Sequence, residues 1–165
     1  MDTVGFTRMA DGTREDYALL DRRFRSEGPD PADTVLDLLK RMAGPTFGYK
    51  IDRYTHSLQC ATRARRDGAD EETVVCALLH DIGDVLTPDN HSQVAAAILR
   101  PYVGERNHWI VAHHGVFQGY YYVHHLGRDR NARDAFRGHP HFEACLRFCE
   151  RWDQTSFDPD YDTMP

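Results

Sequence analysis

The chain has 165 residues, a length that fits one domain and suffices for a buried core. Its formal net charge of −6 argues against a protein that binds nucleic acid without regard to sequence. The sequence contains neither a run of the roughly 18 apolar residues that a membrane span needs nor a basic-then-apolar leader. We therefore expect no nucleic-acid partner, no membrane association and a cytoplasmic location.

Hydrophobic periodicity and capping residues predict helices along most of the chain, and no segment alternates with the period of a strand. We therefore predict an all-α fold. The predicted helices cover residues 13–26, 31–43, 53–67, 71–82, 91–100, 105–117 and 139–153. The residues expected to cap four of them are Thr13, Asp52, Asp70 and Asn90. The four cysteines, at 60, 76, 145 and 149, are expected to be small reduced core residues.

The segments between these helices lack periodicity and are predicted to be loops, at 44–52, 83–90 and 118–138. The residues from 154 onward are rich in aspartate and are predicted to be extended and exposed. We predict a single domain over 1–165, with a helical extension at 1–30, a core at about 31–157 and an extended tail at 158–165.

The strongest functional signal is the pair His80-Asp81, which directly follows the apolar helical run ending in Leu78-Leu79. A charged pair in that position is expected at or near the core, where an ionised carboxylate is costly without a partner. A metal ion can satisfy both side chains together. Gly83 follows at once and would let the backbone turn away.

Further candidate ligands occur on other predicted helices, at His56, His91, His113, His114 and Asp153. A single histidine on an apolar face is usually a core residue. Several such groups on separate helices around one His-Asp pair instead favour a metal site projecting into a helix bundle.

The adjacent histidines His113 and His114 compete for one position in this set. We favour His113, because it is in helical phase with Ile110 and Phe117.

The order His56, His80-Asp81, His91, His113, Asp153 resembles the HD superfamily, over about residues 46–157. The resemblance implies an HD-domain helical bundle with a central dinuclear metal site. Asp81 would bridge two ions, with His56, His80 and Asp153 on one ion and His91 and His113 on the other. Imidazole and carboxylate ligands suit iron, manganese or zinc.

Two segments resemble one branch of this superfamily, the HD-type phosphonate oxygenases related to inositol oxygenase: Thr55-His56-Ser57-Leu58-Gln59 and Arg151-Trp152-Asp153. The resemblance implies a non-haem diiron oxygenase with two iron ions, mixed-valent Fe²⁺/Fe³⁺ in the active form. Its partners would be O2 and a small-molecule substrate, and the chain would be a monomer or small homo-oligomer. The alternatives are an HD-type phosphohydrolase acting on a nucleotide or other phosphate ester, and a non-catalytic sensor.

Residues near the predicted metal ligands indicate which charged groups the substrate carries. Asp84 would favour a cation over an anion, and the rings of Tyr120, Tyr121 and Tyr122 could surround a quaternary ammonium group, although the same rings could simply pack on the core. Candidate groups for an anionic end are Arg53, Arg128 and Arg137, with Arg130 and Arg133 in the same segment.

The resemblance to the phosphonate oxygenases implies a hydroxyphosphonate cleaved at its C–P bond, and Asp84 and the tyrosines suggest that it carries a methylated ammonium group. The expected substrate is therefore 1-hydroxy-2-(trimethylammonio)ethylphosphonate-like, and the products are glycine betaine, or glycine, and phosphate. Tyr49 and Asp84 are the candidate catalytic residues, with Tyr49 as a gate over the open metal position.

Overall fold

The computed structural model describes residues 3–164, in which helices are joined by turns and no strand occurs. The all-α prediction is therefore confirmed. The helices are α1 (Arg14–Glu27), α2 (Pro31–Lys40), α3 (Arg53–Arg66), α4 (Glu71–Leu79), α5 (His91–Leu99), α6 (Glu105–Tyr122) and α7 (Phe142–Phe148). Across these residues, no helix combines the length and the apolar character that crossing a bilayer would demand.

The chain divides into two compact units, Met1–Leu36 and Asp37–Pro165. The first contains α1, whose start has the predicted capping box: Thr13 accepts from the backbone of Asp16, and the Asp16 carboxylate accepts from the Thr13 N–H. Residues 1, 2 and 165, parts of the predicted extension and tail, lie outside the described residues.

The second unit is a bundle in which α3 packs on α4, α5 on α6, and α6 on α7. Its core combines aromatic and small side chains, and all four cysteines are buried there as free thiols, as predicted. The central core members are Cys60, Ala64, Ala77, Ile110, Phe117, Phe142, Cys145, Phe148 and Cys149.

Two predicted N-caps of this bundle are confirmed. Asp52 accepts a hydrogen bond from the Thr55 N–H at 2.8 Å, and Asp70 accepts one from the Thr73 N–H at 2.7 Å. Asn90 precedes α5 but does not cap it with its side chain. Its side-chain oxygen instead accepts from the Thr87 hydroxyl at 2.6 Å.

Several helix boundaries differ from the prediction. The helix α6 continues to Tyr122, so the predicted loop from residue 118 begins too early. The helix α4 stops at Leu79 and is followed by a short 3-10 turn, Ile82–Val85. The helix α7 begins only at Phe142, and the turn that follows it, Cys149–Asp153, is π-helical.

The C-terminal segment is without helix, as predicted, and exposed at 158–160, 162 and 164, but it also makes specific contacts that the sequence did not predict. Ser156 is fully buried, and Gln59 of α3 exchanges two hydrogen bonds with the backbone of Asp158, at 2.6 and 3.3 Å. Further along, the Arg63 guanidinium lies 3.8 Å from the centre of the Tyr161 ring. The segment therefore runs along α3 and is fixed to it.

Candidate metal centre

The second unit gathers six potential ligands from five parts of the chain. His56 lies in α3, His80 and Asp81 directly follow α4, and the others come from α5, α6 and the π-helical turn. The six are His56, His80, Asp81, His91, His114 and Asp153, and overlapping groups of three have donor atoms within 4.8 Å of one another. All are buried except His91, which is partly exposed.

Gly83 allows two of these chain segments to meet. A Cβ atom at position 83 would lie 2.3 Å from the carbonyl oxygen of His91 and 2.8 Å from its Cα. The backbone of Gly83 does not adopt a positive φ. The glycine is needed for close approach, not for the turn that the sequence had suggested, and it brings the start of α5 against Asp81.

A backbone carbonyl fixes the ring of each of the four histidines. In every case Nδ1 lies 2.7–2.8 Å from a carbonyl oxygen, so Nδ1 carries the proton and donates. The carbonyls belong to Ser156 for His56, Ala77 for His80, Pro88 for His91 and Val111 for His114. With Nδ1 used in this way, Nε2 of each ring points to the centre, and in the neutral form of the ring its lone pair is free to bind a metal ion.

When His56 and His80 are both neutral, their Nε2 lone pairs face each other with no donor between them. The Nε2 atoms of His56 and His80 are 3.2 Å apart, and each Nδ1 proton is already used. Asp153 Oδ1 lies 3.4 Å from His56 Nε2, while its Oδ2 is buried with no hydrogen-bond partner among the described residues. A buried acceptor without a donor is costly, and a cation satisfies this set directly. The donor set thus fits a metal ion.

Asp81 divides the cluster into two groups. Its Oδ2 lies 3.5 Å from His56 Nε2 and 3.6 Å from His80 Nε2. Its Oδ1 lies 3.1 Å from His114 Nε2 and 3.5 Å from His91 Nε2. The two oxygens of one carboxylate therefore face two different pairs of imidazoles.

The proton equilibria of the cluster follow from burial and from the two carboxylates. Burial disfavours the His114 cation, but the hydrogen bond and charge of Asp81 outweigh it and raise the pKa of His114 to about 9. Burial dominates at His80 and lowers its pKa to about 4. The surrounding imidazoles outweigh the desolvation of Asp81 and Asp153 and lower the pKa of both carboxyls, so both are ionised at neutral pH.

The assignment of His113 as a ligand is corrected by the structure. Its Nδ1 donates to the Trp109 carbonyl at 2.8 Å, and its ring stacks on Trp109 at 4.2 Å and meets Phe136 at 4.8 Å. His114, its neighbour and the alternative from the sequence, points to Asp81 instead. The other five predicted ligands are brought together.

A cavity of about 220 Å³ opens onto the cluster. Among the residues predicted for catalysis or substrate binding, those that line it are Tyr49, Arg53, Tyr121 and Tyr122. Tyr120 does not line it, because its ring is covered by the guanidinium groups of Arg130 and Arg133, at 4.1 and 3.5 Å.

Arg128 and Arg137 also lie outside this cavity, and both are exposed. Arg137 pairs with Asp134 at 3.1 Å. The structure therefore does not bring these two arginines to the cavity at the cluster.

Asp84 is engaged within the protein and does not line this cavity. Its carboxylate lies 3.2 Å from Arg53 Nε and 3.3 Å from His91 Nδ1. The expectation of a free negative charge facing a substrate cation is therefore corrected. Arg53 also places a guanidinium nitrogen 3.8 Å from Asp81 Oδ2, which puts one positive charge at the edge of the cluster.

The cavity wall includes residues that sequence reasoning missed. Phe157 stacks on His56 at 4.4 Å and on Tyr49 at 5.1 Å, so the C-terminal segment closes one side. Gln118 lines the cavity one helical turn after His114, and its side-chain oxygen is buried without a partner. The helical spacing from His114 would have identified Gln118 if α6 had been predicted at its full length.

The comparison with known proteins gives one family. The sequence model of the HD domain matches residues 53–153, which span five of the six clustered side chains and end on the sixth, Asp153. The search of curated proteins returned no match. HD domains are typically metal-dependent enzymes, in agreement with the buried cluster of histidines and aspartates. Because the match covers more than half of its length, the chain belongs to the HD domain family.

Proposed function

We propose that this protein is a non-haem diiron oxygenase that uses O2 to cleave the C–P bond of a 1-hydroxy-2-(trimethylammonio)ethylphosphonate-like substrate. The observation that carries the proposal is the division of the cluster by Asp81. One carboxylate with each oxygen facing its own pair of imidazoles is suited to bridging two ions. Iron is compatible with this set of imidazole and carboxylate donors.

The proposed ligand groups follow from these distances. His56, His80 and Asp153 would hold one ion, His91 and His114 the other, and Asp81 both. When bound, the Fe²⁺/Fe³⁺ pair would supply the redox capacity for reaction with O2 and the Lewis acidity that binds a hydroxyl and an anionic oxygen.

The protein's own residues would bind and orient the substrate. Within residues 3–164, Arg53 is the only cationic side chain other than histidine that lines the cavity, and it suits a phosphonate oxygen. The unpartnered oxygen of Gln118 would accept a hydrogen bond from the carbinol hydroxyl. The rings of Tyr121, Tyr122 and Phe157 offer apolar and cation–π contacts to a methylated ammonium group and would exclude water.

Asp84 has a different part in this proposal from the one expected from the sequence. It holds Arg53 and His91 in place and does not meet the ammonium group. Tyr49 remains a gate in the proposal, since it lies half-exposed at the cavity and stacks on Phe157.

The reaction is balanced without a further reductant. The carbinol carbon and its hydroxyl become a carboxylate, the C–P bond breaks, and phosphorus leaves as phosphate. One oxygen atom of O2 enters each product, and one proton is released. The products are glycine betaine, or glycine from the free amine, and phosphate.

The experiment is incubation of iron-loaded protein with the hydroxyphosphonate under ¹⁸O2. We expect one labelled oxygen in the carboxylate product and one in phosphate, and no turnover without O2. Phosphate release that proceeds without O2 would refute the oxygenase.

A metal-dependent phosphohydrolase is the second candidate, favoured by the same Arg53. A guanidinium 3.8 Å from a ligand carboxylate at a cavity also suits a phosphate ester. Its test is a panel of nucleotides and small phosphate esters under argon with Mn²⁺ or Fe²⁺. The small cavity, about 220 Å³, favours small esters over nucleotides.

A further inference from the structure

A second cavity, of about 440 Å³, lies beside the one that faces the cluster. The two share Arg53, His91 and Tyr122, which form the wall between them. Among the described residues that line the larger cavity, His91 and Asp84 are the only histidine and carboxylate, and the remaining wall is mainly apolar. It therefore offers a binding volume that the proposed reaction does not use.

The rim of this cavity carries a strained, exposed aromatic residue. Phe47 has a φ of 51°, a left-handed conformation that is unfavourable for a bulky side chain. Its ring is 80% exposed. Such strain is found mainly where a backbone conformation serves binding, and an exposed aromatic ring at a cavity rim is a surface that an apolar ligand can cover.

The charges around the cavity select an anion. Arg53 and Asp84 pair with each other at 3.2 Å and so largely cancel. Arg41 lines the same cavity, is exposed, and forms no ion pair within residues 3–164. One positive charge is thus left at the edge of a mostly apolar volume.

We propose that this cavity binds a small amphiphilic anion, with its apolar part between Met42 and Phe47 and its anionic group at Arg41. Both residues line the cavity, Met42 at 4% exposure and Phe47 at 80%. In the proposal the ligand would cover the exposed ring of Phe47. The proposal does not depend on which reaction the metal centre performs.

The test is a fluorescence titration of the full chain with 1-anilinonaphthalene-8-sulfonate, followed by displacement with three eight-carbon ligands. We expect saturable binding with one site per chain. Octanoate should displace the probe more strongly than octanol, and octyltrimethylammonium should displace it most weakly, because Arg41 attracts only the carboxylate. Equal displacement by octanoate and octyltrimethylammonium would overturn the anionic specificity.

Matched variants separate this site from general binding to exposed rings. Phe47→Asn should weaken probe and octanoate binding about tenfold. Phe24→Asn makes the same change at a ring that is also 80% exposed, on α1, and should leave binding unchanged. Arg41→Gln should weaken octanoate about threefold and octanol not at all.

The stability of the Phe47 variant provides an independent readout. Asparagine tolerates the left-handed conformation, so Phe47→Asn should melt no lower than the wild type while it binds more weakly. Equal losses of affinity in the Phe47 and Phe24 variants would overturn the site, as would unchanged affinity in Phe47→Asn.

Discussion

Replacing each of two adjacent histidines tests the assignment of the metal ligands. His114→Ala removes one of two imidazoles that face Asp81 Oδ1, so the second ion of the proposed diiron pair would be left with His91 and the shared carboxylate. Two protein ligands are fewer than the three that catalytic sites usually keep. We therefore expect iron content to fall from about two ions to about one per chain, measured by elemental analysis after passage over a chelating resin.

His113→Ala is the matched control, one residue away on the same helix. It removes a hydrogen bond to the Trp109 carbonyl and the contacts with the Trp109 and Phe136 rings. These losses should destabilise the fold by about 1–2 kcal/mol in urea unfolding. Metal content should stay at the wild-type value. Loss of iron in the His113 variant, or retention of both ions in the His114 variant, would refute the assignment.

Three further changes test other parts of the structure. Gly83→Ala places a Cβ 2.3 Å from a backbone oxygen and forces a shift of about 1 Å, so we expect the unfolding free energy to fall by about 2–3 kcal/mol and one ion to bind more weakly. Gly5→Ala, in open space, is the control and should cost nothing measurable. An equal effect of the two substitutions would contradict the packing argument. Because the pKa of His114 is about 9, a metal ion must displace its proton at neutral pH. The apparent metal affinity, measured against a competing chelator, should rise by up to about tenfold per pH unit and level off above about pH 9. An affinity that is flat from pH 7 to 9 would contradict this. Asp52→Ala removes the acceptor for the Thr55 N–H at 2.8 Å and should cost about 1–2 kcal/mol by calorimetry, while Asp52→Asn should recover most of the loss.

Local signals in the sequence predicted the helices and most of their caps. The side chains of Asp52 and Asp70 accept hydrogen bonds from backbone N–H groups three residues later, so a short stretch of sequence contains both the cap and the group that it binds. The helix α6 continues through Gly119 to Tyr122, five residues beyond its predicted end, although glycine is a poor helix former. In the structure Gly115 packs closely on α5, where a Cβ would lie 2.7 Å from the Ser92 hydroxyl. Tertiary packing thus outweighed local propensity.

The site was less predictable than the fold where the choice depended on orientation. Adjacent residues on a helix point about 100° apart, and both His113 and His114 have apolar neighbours at helical spacing. Which of them faces the core is decided by contacts with Asp81 on one side and Trp109 on the other. The pairing of Asp84 with Arg53 likewise joins residues 31 positions apart, and no local pattern encodes it.

The four carbonyls that orient the histidines set the order in which the centre can be completed during synthesis. Three of the rings are held by a carbonyl three residues upstream, so their orientation is available as soon as each turn forms. His56 differs, because its partner carbonyl, on Ser156, is made 100 residues later. A nascent chain therefore carries His56 without its orienting acceptor until residue 156 has emerged from the ribosome. Metal capture with all six side chains in their final orientation becomes possible only then, about 100 residues after His56 itself has emerged.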